Sequence, residues 1–202
     1  MYSTRTATVT TESNYNYMPV GINENIHLKE VNINKSPQGK DFLEIIFENE
    51  NGQTVSMTEW KNEKNQWIVT DADLQSRDNQ QFGRLLQVID SVKGGHNEFE
   101  GSSFIEMINW VKQCLNDGES GLVRLKVTYD KKGFTQVSKN GIFIDSMNVA
   151  KDQSQIKLWK NDLLERPIQA DVEKPNDPLA NQTMSDFSTP VTETTGADDL
   201  PF

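Results

Sequence analysis

Asp41-Phe42-Leu43-Glu44-Ile45-Ile46-Phe47-Glu48 is followed, past Asn51-Gly52, by Thr54-Val55-Ser56-Met57-Thr58-Glu59-Trp60. In the first run Leu43, Ile45 and Phe47 share one face, with Phe42, Glu44, Ile46 and Glu48 on the other. In the second, Val55 and Met57 oppose Thr54, Ser56, Thr58 and Trp60. A period of two marks strands with one face in a core. Asn-Gly suits the tight turn between such strands, because that turn needs positive φ at its centre. Upstream, Ile26 and Leu28 alternate, then the phase slips to Val31 and Ile33, which places a bulge or bend near Lys29 and Glu30. A long first strand bent in this way can serve two sides of a barrel. The turn Lys35-Ser36-Pro37-Gln38-Gly39-Lys40 joins it to the second strand with a cation at either end. Downstream, Trp67, Ile68 and Val69 stand where they could extend this three-stranded meander.

The period then changes. Phe82, Leu85, Leu86 and Ile89 fall at helical spacing, as do Phe104, Ile105, Ile108, Val111 and Leu115. Ser103 with Glu106 signals the start of the second helix and Gly118 its end. Gly94-Gly95 separates the two; no Lys-Ser or Lys-Thr follows it, so it is a linker and not a phosphate loop. Strands return with Val123, Leu125 and Val127 opposite Arg124, Lys126 and Thr128. Asp130-Lys131-Lys132-Gly133 makes a hairpin turn into Phe134 to Ser138, and Asn140-Gly141 opens a final strand or extension through Met147. An amphipathic segment around Ile156, Leu158, Trp159, Leu163 and Leu164 ends before Pro167. Three strands, a helical insert at about 71 to 118 and two further strands match the element order of the five-stranded OB-fold barrel. The expected class is therefore mainly β, with two helices between strands three and four, and with Leu43, Ile45, Phe47, Val55, Met57, Val123, Leu125 and Val127 inside.

The chain has 202 residues, 35% of them hydrophobic, and a mean hydropathy of −0.66. Such values suit one normal core diluted by polar ends. Residues 1 to 18, rich in Thr, Ser, Asn and Tyr, are expected to form a flexible arm, in which Tyr2, Tyr15 and Tyr17 could touch bases or a neighbouring subunit. Residues 19 to 164 form the domain, and 165 to 202, carrying Pro167, Pro175, Pro178, Pro190 and Pro201, a disordered acidic tail. The net charge of −10 is unevenly distributed: eight acids against Arg166 and Lys174 give the tail −6 and leave −4 for the first 164 residues. The single Cys114 excludes an internal disulfide and any multi-cysteine zinc site. His27 and His96 lack partners at metal-ligand spacing, so neither a metal nor a cofactor is expected. With no signal segment or apolar membrane-spanning run, a soluble cytoplasmic protein is expected.

On the outer face of such a barrel Phe42 and Trp60 would be exposed aromatics, and Arg124 and Lys126 would supply positive charge. Lys35 and Lys40 lie in one loop flanking the expected groove; Lys131 and Lys132 lie in the other, next to Phe134. Trp67 completes the candidate set. Single-stranded DNA needs this combination, since unpaired bases offer flat faces for stacking and each nucleotide a phosphate. Duplex readers instead favour a basic recognition helix, and neither helix here has one. Ordinary structural roles compete: Phe42 could pack under the insert, Trp60 or Trp67 could cover a barrel end, and Arg124 and Lys126 could form a solvated strand face. Glu44, Glu48 and Glu59 weaken the cationic character of the face.

The chain closes with Asp198-Asp199-Leu200-Pro201-Phe202, two carboxylates, an apolar pair and a ring beside the terminal carboxylate. An apolar pocket with a basic rim would capture these as a unit. This ending resembles the acidic tip of bacterial single-stranded DNA-binding proteins, and Pro19-Val20-Gly21-Ile22-Asn23-Glu24-Asn25 is similar in style to phage-encoded members. The resemblance implies an OB-fold that binds single-stranded DNA in replication, recombination and repair. It further implies recruitment of partner proteins, with Phe202 entering their pocket and Asp198 and Asp199 meeting its rim. For a phage-encoded protein the setting would be the host cytoplasm. The insert is larger than the single helix of the common bacterial form, which favours a monomer or dimer over a tetramer. An OB-like adaptor that binds only proteins is the alternative. A nuclease finds no histidine cluster, phosphate loop or activated nucleophile to support it.

Overall fold

The computed structural model describes residues 16–167. It contains β1 (Gly21–Lys35), β2 (Asp41–Glu48), β3 (Thr54–Trp60), α1 (Asp71–Lys93), α2 (Phe104–Asn116), β4 (Val123–Tyr129), β5 (Thr135–Val137) and β6 (Ile144–Ser146). The strands run in the order β3-β2-β1-β4-β5, all antiparallel, with β6 also on β4. The result is a nearly closed five-stranded barrel of OB-like fold, carrying two helices between β3 and β4.

Strand β1 makes the barrel possible. Its second half pairs with β2 and its first half with β4. The register shifts between Leu28 and Glu30, at the bend that the phase slip placed there. A second irregularity, between Asn23 and Ile26, contains Asn25 at φ 57°, a left-handed conformation that asparagine tolerates better than most residues. Closure comes from side chains: the Lys139 ammonium donates to the Thr58 carbonyl and pairs with Glu59 Oε1 at 3.2 Å, tying the turn after β5 to β3.

Leu43, Ile45, Phe47, Val55, Met57, Val123, Leu125 and Val127 are all buried, as their phase required. Leu85, Val88, Ile89, Val92, Ile108, Val111 and Leu115 from the helices complete the same core. Both helices begin with capping boxes, Thr70 with Asp73 and Ser103 with Glu106, and α1 ends at Gly94 at φ 78°.

Four expectations need correction. Residues 16–18 belong to the domain and not to the arm: the Thr54 N–H donates to the Asn16 carbonyl, and Met18 is wholly buried. Residues 1–15 of the arm and 168–202 of the tail, including Asp198, Asp199, Leu200, Pro201 and Phe202, lie outside the described residues. Trp67, Ile68 and Val69 form a turn, with an Asn65–Ile68 bridge, and not a strand extension. The segment around 156–164 is irregular and not amphipathic in the way expected: it buries Ile156 but leaves Leu158, Trp159, Leu163 and Leu164 exposed.

The fourth correction concerns β4, which is buried on both faces. Arg124 is 4% exposed and Lys126 is 0%. The terminal segment covers this outer face, and Lys126 is the peg that holds it. Its three ammonium donors reach the carbonyls of Asn140 (3.0 Å) and Lys157 (3.1 Å) and Asp162 Oδ2 (3.0 Å). Asp162 also accepts from the Trp159 N–H at 2.8 Å and the Asn140 side chain at 3.4 Å. Burial opposes ionisation of Asp162, but the Trp159 N–H, Lys126 and Asn140 together hold its carboxyl below the usual value.

Removing one partner leaves a buried charge uncompensated, which typically costs about 3–5 kcal/mol. Lys126→Ala should therefore lower unfolding free energy in urea by about that amount, and Lys126→Met/Asp162→Leu by much less. Because the folded pKa of Asp162 is depressed, its stabilisation is present above the unfolded value and fades as pH falls through the folded one. The urea midpoint should fall as pH is lowered below the ordinary Asp value of about 4, and fall less in Asp162→Asn.

Candidate nucleic-acid interface

On the outer face of the three-stranded side, register sets the neighbours in rows: Asn34, Phe42 and Trp60; Asn32, Glu44 and Thr58; Glu30, Ile46 and Ser56. Phe42 and Trp60 lie directly opposite on β2 and β3, and their rings stack at 4.2 Å between centroids with 24° between planes. The alternation that drives Leu43 and Glu59 inward sends both rings outward. Trp60 remains 43% exposed and Phe42 half-buried, so the stacked pair is reachable from solvent at Trp60.

Beside Trp60 a hollow of about 450 Å³ is lined by Gly39, Lys40, Asp41, Lys61, Glu63, Ser103, Phe104 and Ile105. Strand ends and the start of α2 thus build a mixed apolar and charged recess next to the stack. Lys40 pairs with Glu63 at 2.7 Å, and that hydrogen bond holds the Glu63 carboxyl below its ordinary value. Lys35, highly exposed, pairs with Asp41 at 3.3 Å. Lys61 is exposed at the same rim.

The rest of this face is not cationic. Glu30 accepts from Asn32 and Glu44 from Asn34, each at 3.0 Å. Glu48 accepts from Lys29 at 2.7 Å and contacts His27 at 3.3 Å; its hydrogen bond to Lys29 is the main cause of its lowered pKa.

The structure separates the candidate residues into groups. Phe42, Trp60, Lys35 and Lys40 come together at one end of β2 and β3. Trp67, 79% exposed, stands on the turn before α1. Phe134, 54% exposed, and Lys131 and Lys132 stand on the β4–β5 hairpin, where Asp130 Oδ1 accepts the backbone N–H groups of Lys132 and Phe134 at 2.8 Å each. Arg124 and Lys126 leave the exposed set. The Arg124 guanidinium pairs with Glu24 Oε1 at 3.2 Å, and Lys151 meets the same carboxylate at 3.1 Å. Hydrogen bonds from Lys151 and then Arg124 lower the pKa of Glu24.

Two lysines went unread in the sequence: Lys61 and Lys139 flank the strand ends, where strand phase carries no information about side chains in turns. Glu59 is a correction: expected with Glu44 and Glu48 among the acids of the outer face, it shares the inward phase of Val55 and Met57 and is buried. It binds Arg84 (3.1 Å), Gln81 (2.8 Å) and Lys139 (3.2 Å). Burial pushes its pKa up, but Arg84, Lys139 and Gln81 outweigh it and the carboxyl lies below its usual value. This network supports the barrel end beneath Trp60, whose carbonyl also accepts from Gln81 at 2.8 Å.

Among the described residues no group of three or more His, Cys, Asp or Glu side chains could hold a metal ion, and no helix is long and apolar enough to cross a membrane. Cys114 is half-buried, and burial with the charge of Asp117 pushes its thiol up, away from nucleophilic use. No protein-family model matches this chain, and no curated protein matches it.

A double-mutant cycle of Phe42→Ala and Trp60→Ala should give a coupling of about 0.5–1.5 kcal/mol in unfolding free energy, the usual worth of a stacked pair beyond its buried area. Additive effects would show that the rings pack independently.

Proposed function

We propose that this protein binds single-stranded DNA without sequence specificity, protects it during replication, recombination and repair, and recruits partner proteins through its acidic C-terminal tip. The observation that carries the proposal is the outward-facing Phe42–Trp60 stack on β2 and β3, the face of an OB-like barrel suited to oligonucleotides. A base added at the exposed Trp60 would continue the stack, and stacking is indifferent to base identity because every base has a π-face. Lys35, Lys40 and Lys61 at the adjoining rim would meet phosphates. Lys40 would exchange Glu63, and Lys35 Asp41, for a phosphate oxygen.

No catalytic role is proposed. The tip residues Asp198, Asp199 and Phe202 support recruitment through their chemistry and position in the sequence. A cytoplasmic setting, the host's if the protein is phage-encoded, and a monomeric or dimeric state belong to the same proposal. A second reading, an OB-like adaptor that binds only proteins, is favoured by Glu30, Glu44 and Glu48 on the same face as the stack.

Titration with oligo-thymidine at low and high salt, followed by tryptophan fluorescence, tests the proposal. Quenching that weakens as salt rises is the expected result, with Trp60→Ala losing about 1–3 kcal/mol of binding free energy. A flat response of the wild type at low salt would leave the adaptor as the better account.

A further inference from the structure

Lys126 is buried beneath the segment that carries Lys157 and Asp162, and that segment, through Arg166, is itself basic and aromatic on its exposed side. Trp159 is 55% exposed, and Lys157, Lys160 and Arg166 are exposed beside it. The nearby carboxylate of Asp162 is turned inward onto Lys126, so it subtracts nothing from this surface. Within residues 157–166 Glu165 is the one other carboxylate against the three cations, and Asp130 stands on the adjoining hairpin.

The segment abuts the β4–β5 hairpin. The Tyr129 N–H donates to the Leu163 carbonyl at 2.8 Å. Arg166 lies over Gly133, where an added Cβ would stand 3.1 Å from its Nε. Phe134 and Lys131, one residue or two from Gly133, therefore border the same surface. At its other end the indole of Trp159 lies against Gly141, whose Cβ position would be 3.4 Å from Trp159 Nε1. Gly141 follows Lys139 by two residues, and Lys139 is bonded to Thr58 on β3. These contacts thus link Thr58, two residues from Trp60 on β3, through the 139–141 turn to Trp159.

We propose that residues 157–166 form a second contact for the nucleic acid, with Trp159 and Phe134 stacking bases and Lys157, Lys160, Arg166 and Lys131 meeting phosphates. This rests on single-stranded DNA binding at the β2–β3 face and extends it to a further site. Charge selects the occupant: the β2–β3 face carries Glu30, Glu44 and Glu48, whereas this surface is basic with aromatic rings between the cations, the combination a single strand requires.

The test uses the full chain, a labelled oligo-thymidine of about 16 nucleotides, the upper site size of one OB-fold, and anisotropy as a readout independent of tryptophan. Trp159→Ala should weaken binding roughly tenfold, and Trp159→Phe should restore most of it. Lys157→Ala/Lys160→Ala should flatten the slope of log K against log salt by about 1.4, two phosphate contacts at about 0.7 each. Trp159→Leu, which retains apolar cover, separates stacking from folding: unchanged melting with weakened binding is expected.

Wild-type affinity and salt slope in all these variants, with Trp60→Ala still impaired, would overturn the second contact and leave the β2–β3 site standing. A wild type that binds no oligonucleotide would overturn both. Self-association of the wild type that Trp159→Ala abolishes, with DNA binding unchanged, would assign the surface to a second copy of the chain and overturn the proposal.

Discussion

The buried pair of Lys126 and Asp162 holds the outer side of β4 together. A lysine at that depth is tolerable only because each ammonium hydrogen has an acceptor, two of them backbone carbonyls, from Asn140 and Lys157. Those acceptors come from the turn after β5 and from the terminal segment, so one side chain joins β4 to both of them. β4 is consequently a central strand with both faces covered, and the terminal segment is part of the domain. The charge is consumed structurally, and what the solvent meets instead is the exposed side of the cover.

The barrel closes through a comparable substitution of side chains for ladder bonds. β1 bends at two irregularities so that it can be shared between β2 and β4, which brings β3 and β5 towards each other without a ladder between them. Lys139 bridges the gap by donating to the Thr58 carbonyl while its charge meets Glu59. Glu59 is simultaneously held by Arg84 and Gln81 of α1, so the helical insert is fastened to the same barrel end. Rigid support of this kind beneath β3 keeps Trp60 in place against Phe42, and a stacking surface is useful in proportion to how little it must reorganise on binding.

Charge and aromatic surface are distributed differently over the domain. The β2–β3 face provides the ordered aromatic stack but balances its cations with Asp41, Glu48 and Glu63. The β4–β5 hairpin and the terminal segment provide exposed rings with fewer opposing carboxylates. A net-acidic protein can present a local cationic path in this way, because over distances beyond about 8–10 Å salt screens the remaining acids. Overall charge therefore says little about the partner, and the placement of a few lysines says much more.

Period and turn chemistry in the sequence determined the strands, the bend in β1, the two helices and the inward set from Leu43 to Val127, because each is local: alternation, a phase slip, Asn-Gly, and a capping Ser103 with Glu106. They also determined that Phe42 and Trp60 share the outer face of the barrel. What alternation cannot state is whether the face opposite the core meets water or protein. It placed Arg124 and Lys126 outside the barrel correctly, but only the tertiary structure decided that Lys157 and Asp162 lie over Lys126, since those contacts join positions some thirty residues apart, one of them through a carbonyl any sequence would possess. The same holds for Met18, drawn into the core by pairing with Thr54, and for Trp159, whose exposure follows from Asp162 turning inward to Lys126. Local pattern specifies which side of an element is apolar; long-range packing alone specifies what covers the other side.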